Sequence, residues 1–61
     1  MRVLITFIGG ASSIEGDSPC ETMEELLEVL GRPGNFITVE KTPYGDVVVN
    51  QSAISYIRRK Q

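Results

Sequence analysis

The chain of 61 residues contains no histidine and no tryptophan, and its single cysteine is Cys20. One thiol cannot form a disulfide within these residues, and without histidine it cannot complete the four ligands of a structural zinc site. Histidine is also the commonest general base of enzymes, and none is present to activate Cys20 as a nucleophile. We therefore expect a protein that is not an enzyme and that holds no metal or cofactor.

Long apolar runs are also missing. The longest candidate covers residues 1–8 and stops at Gly9-Gly10, whereas a helix needs about 20 apolar residues to span a bilayer. No membrane segment or secretory signal is therefore expected. A lone cysteine is typical of a reducing compartment, so we predict a cytoplasmic location.

A chain this short has little hydrophobic core with which to stabilise its fold. A chain of 61 residues is one domain, predicted to cover residues 1–61, and it buries only about 60% of its unfolded surface. Domains of this size usually depend on a disulfide, a metal, very good packing or a second subunit. Since the first two are excluded here, we expect a homo-oligomer, either a dimer or a larger assembly.

Residues 1–8 are predicted to form a β-strand, because their apolar side chains alternate between two faces. Val3, Ile5 and Phe7 share one face, while Leu4 and Ile8 make the other face apolar as well. A strand with two apolar faces is usually central in its sheet or covered on both sides. The glycines that follow favour a tight turn. Residues 12–15 return as a short second strand or remain part of that turn, and residues 16–19 interrupt the pattern.

A helix is predicted over about residues 22–30. Its apolar residues recur at helical spacing and predict one core-facing stripe, formed by Met23, Leu26, Leu27 and Leu30. Two capping boxes compete for its start, Thr22 with Glu25 and Ser18 with Glu21. Gly31 and Pro33 are typical of a helix end.

A β-hairpin is predicted over residues 35–42 and 46–50, joined by Pro43, Tyr44 and Gly45. Counting back from the turn places Val39 opposite Val49 and Lys41 opposite Val47. Four residues then share an inward face, namely Ile37, Val39, Val47 and Val49. The other face holds Phe36, Thr38, Glu40, Val48 and Asn50, and it is expected to be half-solvated.

The last segment, residues 54–59, is either a strand or a short helix capped by Asn50. Its run Ile-Ser-Tyr-Ile favours the strand. The complete prediction is an α+β fold, a small antiparallel β-meander in the order β-β-α-β-β-β packed on one amphipathic helix.

Charge is unevenly distributed along the chain. Residues 1–31 hold one basic and six acidic residues, and residues 32–61 hold five basic and two acidic residues, which together give the net charge of −2. The segregation predicts an acidic helix face and a basic C-terminal end that a partner could recognise. The candidate partner-binding residues are Glu21, Glu24, Glu25 and Glu28 on the helix, with Arg58, Arg59 and Tyr44 elsewhere.

The favoured function is a protein-interaction module, such as a small regulator or inhibitor of the bacterial or phage accessory type, that binds a larger protein. A second hypothesis is nucleic-acid binding through the basic C-terminal end, although the sequence pI of about 4.9 opposes it. A third hypothesis is an oligomer that holds a small anionic ligand between subunits, lined by residues 9–13 and the arginines. These small residues lack the lysine of a phosphate-binding loop.

Overall fold

The computed structural model describes residues 1–10, 12–32 and 34–60. In this part of the chain five antiparallel strands form one sheet and one short α-helix packs against it, so the α+β class is confirmed. The strands are β1 (Arg2–Phe7), β2 (Ser13–Asp17), β3 (Phe36–Thr42), β4 (Gly45–Asn50) and β5 (Ile54–Arg59), and the helix is α1 (Met23–Leu30).

The strand order departs from a simple meander. The order is β4-β3-β2-β1-β5, so the last strand lies beside the first strand and not beside β4. Ile5 of β1 is paired with Ile14 of β2 on one side and with Ile57 of β5 on the other. The apolar β1 is thus an interior strand, as its two apolar faces predict, and β4 and β5 are the two edges of the sheet.

The hydrophobic core lies between one face of the sheet and α1. It consists of six buried apolar residues, Val3, Ile5, Leu26, Ile37, Val39 and Val49. The opposite face of the sheet, here called the open face, carries Leu4 and Thr6 of β1 and Phe36 and Val48 of the β3–β4 hairpin. Phe36 and Val48 remain 62% and 66% exposed, because no described element covers that face.

The helix begins at the predicted cap. The Thr22 hydroxyl accepts a hydrogen bond from the Glu25 N–H at 3.1 Å, while the Glu25 carboxylate accepts one from the Glu21 N–H at 3.5 Å. Gly31 ends the helix as predicted, but in the right-handed conformation, with its N–H donating to Leu27 O at 2.8 Å. Pro33 lies outside the described residues.

The register of the hairpin differs from the expected one. Val39 is paired with Val47, and Ile37 with Val49, so the predicted pairs Val39–Val49 and Lys41–Val47 are wrong. The cause is a β-bulge before the turn, in which Lys41 adopts a positive φ of 55°. The Asp46 carboxylate supports the bulge by accepting from the Lys41 N–H at 3.1 Å. The four valines and isoleucines predicted to point inward still do so, because the shift is an even number of residues.

The two uncertain segments are both strands. β2 runs through Gly16 to Asp17, two residues beyond the predicted end, and its residues 13–17 pair with β1. Residues 54–59 form β5. The Asn50 side chain does cap a helical turn, but only the short 3₁₀ turn Gln51–Ala53, where it accepts from the Ser52 N–H at 3.0 Å.

Candidate functional site

An apolar groove of about 240 Å³ lies between α1 and the edge strand β5. It is called the α1–β5 groove below. Its lining comes from the helix and from the segment that enters and forms β5, and it consists of Met23, Leu26, Leu27, Leu30, Gln51, Ile54, Ser55, Tyr56 and Ile57. Leu27 at its rim is 64% exposed. Tyr56 borders the groove through β5, but it is paired with Thr6, so its side chain lies on the open face. The groove therefore offers apolar surface to solvent directly beside a sheet edge.

Local hydrogen bonding holds the two walls of the groove together. The Gln51 side-chain amide donates to Leu30 O at 3.0 Å, which joins the last turn of α1 to the 3₁₀ turn before β5. The Ile8 N–H donates to Ala53 O at 2.9 Å and ties the same turn to the end of β1. A free carbonyl at the helix end is thereby satisfied.

The four acidic candidates lie on α1 or just before it, and none of them is in the groove lining. Glu21, Glu24, Glu25 and Glu28 are all exposed, as their predicted role requires. Glu24 lies three residues before Leu27 and therefore on the same side of the helix. Glu28 is 3.8 Å from Arg32, whereas Glu24 forms no ion pair within the described residues. Glu24 is thus the acidic group best placed to meet a ligand of the groove.

The structure separates the other candidate residues. Arg58 is paired with Leu4 on the open face, and Arg59 is paired with Val3 on the helix side, because successive strand residues point to opposite faces. Tyr44 lies in the β3–β4 turn, toward the opposite edge of the sheet, and is 74% exposed. These three residues and the acidic helix face therefore do not form one continuous site.

Sequence reasoning missed the main apolar residue of the groove. Leu27 was expected in the core stripe, but it is exposed and only Leu26 of the helix is buried. The sequence did contain a sign of this exposure. Leu27 lies about 100° around the helix from Leu26, which puts it at the edge of the apolar stripe of an eight-residue helix.

The open face carries a network of ion pairs. Arg2 lies 3.2 Å from both Glu15 and Asp17, Lys60 lies 3.3 Å from Glu15, and Lys41 lies 3.9 Å from Asp17. Hydrogen bonds from Arg2 and then from Lys60 lower the pKa of Glu15 below its ordinary value, and hydrogen bonds to Asp17 and Glu15 raise the pKa of Arg2. Lys41, and Lys60 of the basic C-terminal end, are thus engaged with carboxylates.

Glu15→Gln tests this network through the pH dependence of stability. A carboxyl whose pKa is lowered by folding contributes stability above its ordinary pKa of 4.5, and the contribution disappears as the pH falls through the folded value. We expect the variant to unfold at lower urea concentration than the wild type at neutral pH, with the difference narrowing below about pH 4.5. The effect should be small, since the pair is partly exposed.

The matched control is Glu40→Gln, because Glu40 is exposed and forms no ion pair within the described chain. Its urea midpoint should stay close to that of the wild type across the same pH range. A difference for Glu15→Gln that is constant with pH would show that the carboxylate charge of Glu15 is not what stabilises the fold.

A second groove, of about 190 Å³, opens between residues 18–20 and β3. Cys20 lines it together with Ser18, Leu26 and Val29. The Cys20 side chain is half-buried and packs against the core, as an inert packing residue does. Within the described residues there is no cluster of three or more potential metal ligands, and no helix there is both long and apolar enough to cross a membrane.

Comparison of the chain with protein-family models, with curated protein sequences and with solved structures finds no significant match. The functional inference therefore depends on the geometry of the grooves, edges and charges described above.

Proposed function

We propose that this chain is a non-enzymatic protein-interaction module that binds an extended segment of a larger partner protein along β5. The observation that carries the proposal is the position of the α1–β5 groove, an apolar groove beside a strand with one unpaired edge. Binding of this kind fits a small regulator or inhibitor, whose effect comes from occupying a segment of its target.

The backbone of β5 supplies the first part of the binding surface. β1 pairs with one side of β5, and the other side faces outward because β5 is last in the strand order. Unpaired N–H and C=O groups on an edge strand can accept a further strand, which gives affinity through main-chain hydrogen bonds. Alternate side chains of the added strand would then point toward the helix and into the groove.

Side chains supply the selectivity. Leu27 presents apolar surface at the groove rim, and Ile54 and Ile57 of β5 line the groove. Glu24 places an exposed carboxylate on the same side of α1 as Leu27. A segment that fits this surface carries an apolar side chain for the groove and a lysine or arginine beside it for Glu24. The acidic face of the helix would thus contribute to choosing a basic partner segment and not bind it alone.

A random peptide library displayed on phage tests this proposal against the immobilised protein. We expect enriched peptides with an apolar residue and a basic residue two positions apart, since that spacing places both side chains on one face of an added strand. Binding should weaken about tenfold in Leu27→Ser, because the rim contact is lost. Glu24→Lys should also weaken binding, and the loss of affinity should be larger at low salt than at high salt. Fluorescence anisotropy with the enriched peptide would measure both affinities.

Ile8→Ser is the matched control for Leu27→Ser, since Ile8 is 66% exposed and lies outside the groove. Glu21→Lys is the control for Glu24→Lys. Both controls should bind the peptide as the wild type does. Amide chemical-shift changes on peptide addition should concentrate in β5 and α1. Shifts concentrated in β3 and β4, or equal losses in the controls, would be evidence against the α1–β5 groove as the binding site.

A further inference from the structure

We infer that β4, the other edge of the sheet, is a self-pairing surface through which two copies of this chain form an antiparallel dimer with a two-fold axis at Val48. This surface lies at the opposite edge from β5. The inference is therefore independent of the proposed partner groove, and the two can fail separately.

The first observation is that the central part of β4, residues 47–49, carries none of the residues that usually protect an edge strand. Natural edge strands avoid pairing with other chains by carrying lysine, arginine, proline or outward bulges. In β5 the protecting residues Arg58 and Arg59 come last, beyond the groove-lining residues that end at Ile57. β4 has the sequence Gly-Asp-Val-Val-Val-Asn, with Asp46 as its one charged residue and no proline. Of the two edges, β4 is therefore the one suited to pairing with an uncharged, apolar strand.

The second observation is that β4 is complementary to itself. A two-fold axis at Val48 places Val48 opposite Val48 of the second copy, Val47 opposite Val49, and Asp46 opposite Asn50. Each of these pairs joins residues that point to the same face, because their positions differ by zero, two or four. The two sheets would join into one sheet of ten strands with both helices on the same side.

Hydrogen-bonding capacity matches at the Asp46–Asn50 pair. Asn50 Oδ1 already accepts from the Ser52 N–H and hydroxyl, at 3.0 and 2.9 Å, so its Nδ2 amide is the group left to donate. Asp46 Oδ1 accepts from the Lys41 N–H, which leaves Oδ2 as an acceptor. The dimer therefore pairs a donor with a carboxylate oxygen at both ends, and it places no like charges opposite each other.

The open face supplies apolar contact across the axis. Phe36 is paired with Asn50, and Val48 with Thr38, so Phe36 and Val48 are diagonal neighbours on this face. Both are more than 60% exposed in the single chain. Self-pairing would align Phe36, Val48 and the same two residues of the second copy in one row. Dimerisation would bury apolar surface of the open face, which a single chain of this length is too short to cover.

The test uses Val48→Cys in a Cys20→Ser background, with disulfide formation under mild oxidation as the readout. Directly opposed residues of an antiparallel pair have Cα atoms about 4.5–5.5 Å apart, within the range that a disulfide spans. We expect a covalent dimer within minutes for Val48→Cys. Thr38→Cys, on the same face but one strand further in, should remain unlinked.

Sedimentation of the reduced proteins gives the equilibrium measurement. The wild type should show concentration-dependent dimerisation, and Val48→Lys should raise the dissociation constant at least about tenfold, since two charges would then oppose each other at the axis. Ser55→Lys, on the β5 edge, should dimerise as the wild type does. A wild type that stays monomeric at its highest soluble concentration would overturn the inference. So would a dimer that Val48→Lys leaves intact.

Discussion

Replacing Leu26 with alanine is expected to reduce the free energy of unfolding by about 2–5 kcal/mol. Leu26 is 1% exposed and is the buried residue of α1, in contact with the core residues of the sheet. A chain of 61 residues has a total stability of only about 3–9 kcal/mol. The variant should therefore be partly or largely unfolded at room temperature, as urea titration followed by circular dichroism would show.

Leu27→Ala is the matched control, because it removes the same atoms from the next residue of the same helix. Leu27 is 64% exposed, so the substitution should change the free energy of unfolding by less than about 0.5 kcal/mol. Equal losses of stability for the two variants would mean that the helix packs on the sheet through a different face from the one described.

Replacing Gly16 with alanine is the second substitution with a large expected effect. A Cβ atom at Gly16 would lie 2.5 Å from Val39 Cγ1, 2.7 Å from Thr42 Cγ2 and 2.8 Å from Glu40 O. One of these neighbours is backbone and another belongs to a fully buried side chain, so neither can move away easily. We expect a loss of about 1–3 kcal/mol in the free energy of unfolding, as for other overpacked interiors.

Gly31→Ala is the matched control, because it also replaces a glycine with alanine but at a position with more room for the added Cβ. Gly31 has a right-handed backbone conformation, and an added Cβ would come no closer than 3.3 Å to Leu27 O. This variant should stay within about 1 kcal/mol of the wild type. In addition, Gly16→Ala combined with Val39→Ala should lose less stability than the two single variants together, because the shorter side chain vacates the contact. Simple additivity would show that the contact with Val39 is not what destabilises Gly16→Ala.

The role of Gly16 could not be predicted from its neighbours in the sequence. Residues 16–19 look like an interruption, since glycine and proline usually punctuate elements. The structure instead continues β2 through Gly16 and Asp17. The glycine is there because β3 crosses close to β2 at this point, where Asp17 is paired with Glu40. That approach joins residues more than twenty positions apart, and no local pattern contains it.

The candidate binding surface could be predicted only in part from the sequence. The exposure of Glu24 follows from helical periodicity, which is a local property. The groove does not follow from any local pattern. It forms only because β5 lies beside β1 and the Gln51 side chain donates to Leu30 O. The separation of Arg58 from Arg59 also follows only once residues 54–59 are known to be a strand and not a helix. The charge segregation along the chain therefore did not translate into two simple charged surfaces.

The sequence by itself determined the end of α1 and narrowed its start to two caps, and it determined the presence of a β3–β4 hairpin and the residues that point inward from it. These features depend on caps, turn residues and side-chain periods of 3.6 and 2, all of which act over a few residues. Only the tertiary structure decided the position of β5, the bulge at Lys41 and the close approach at Gly16. The physical reason is that each of these is a contact between distant segments, selected by the packing of the whole core and not by any segment alone.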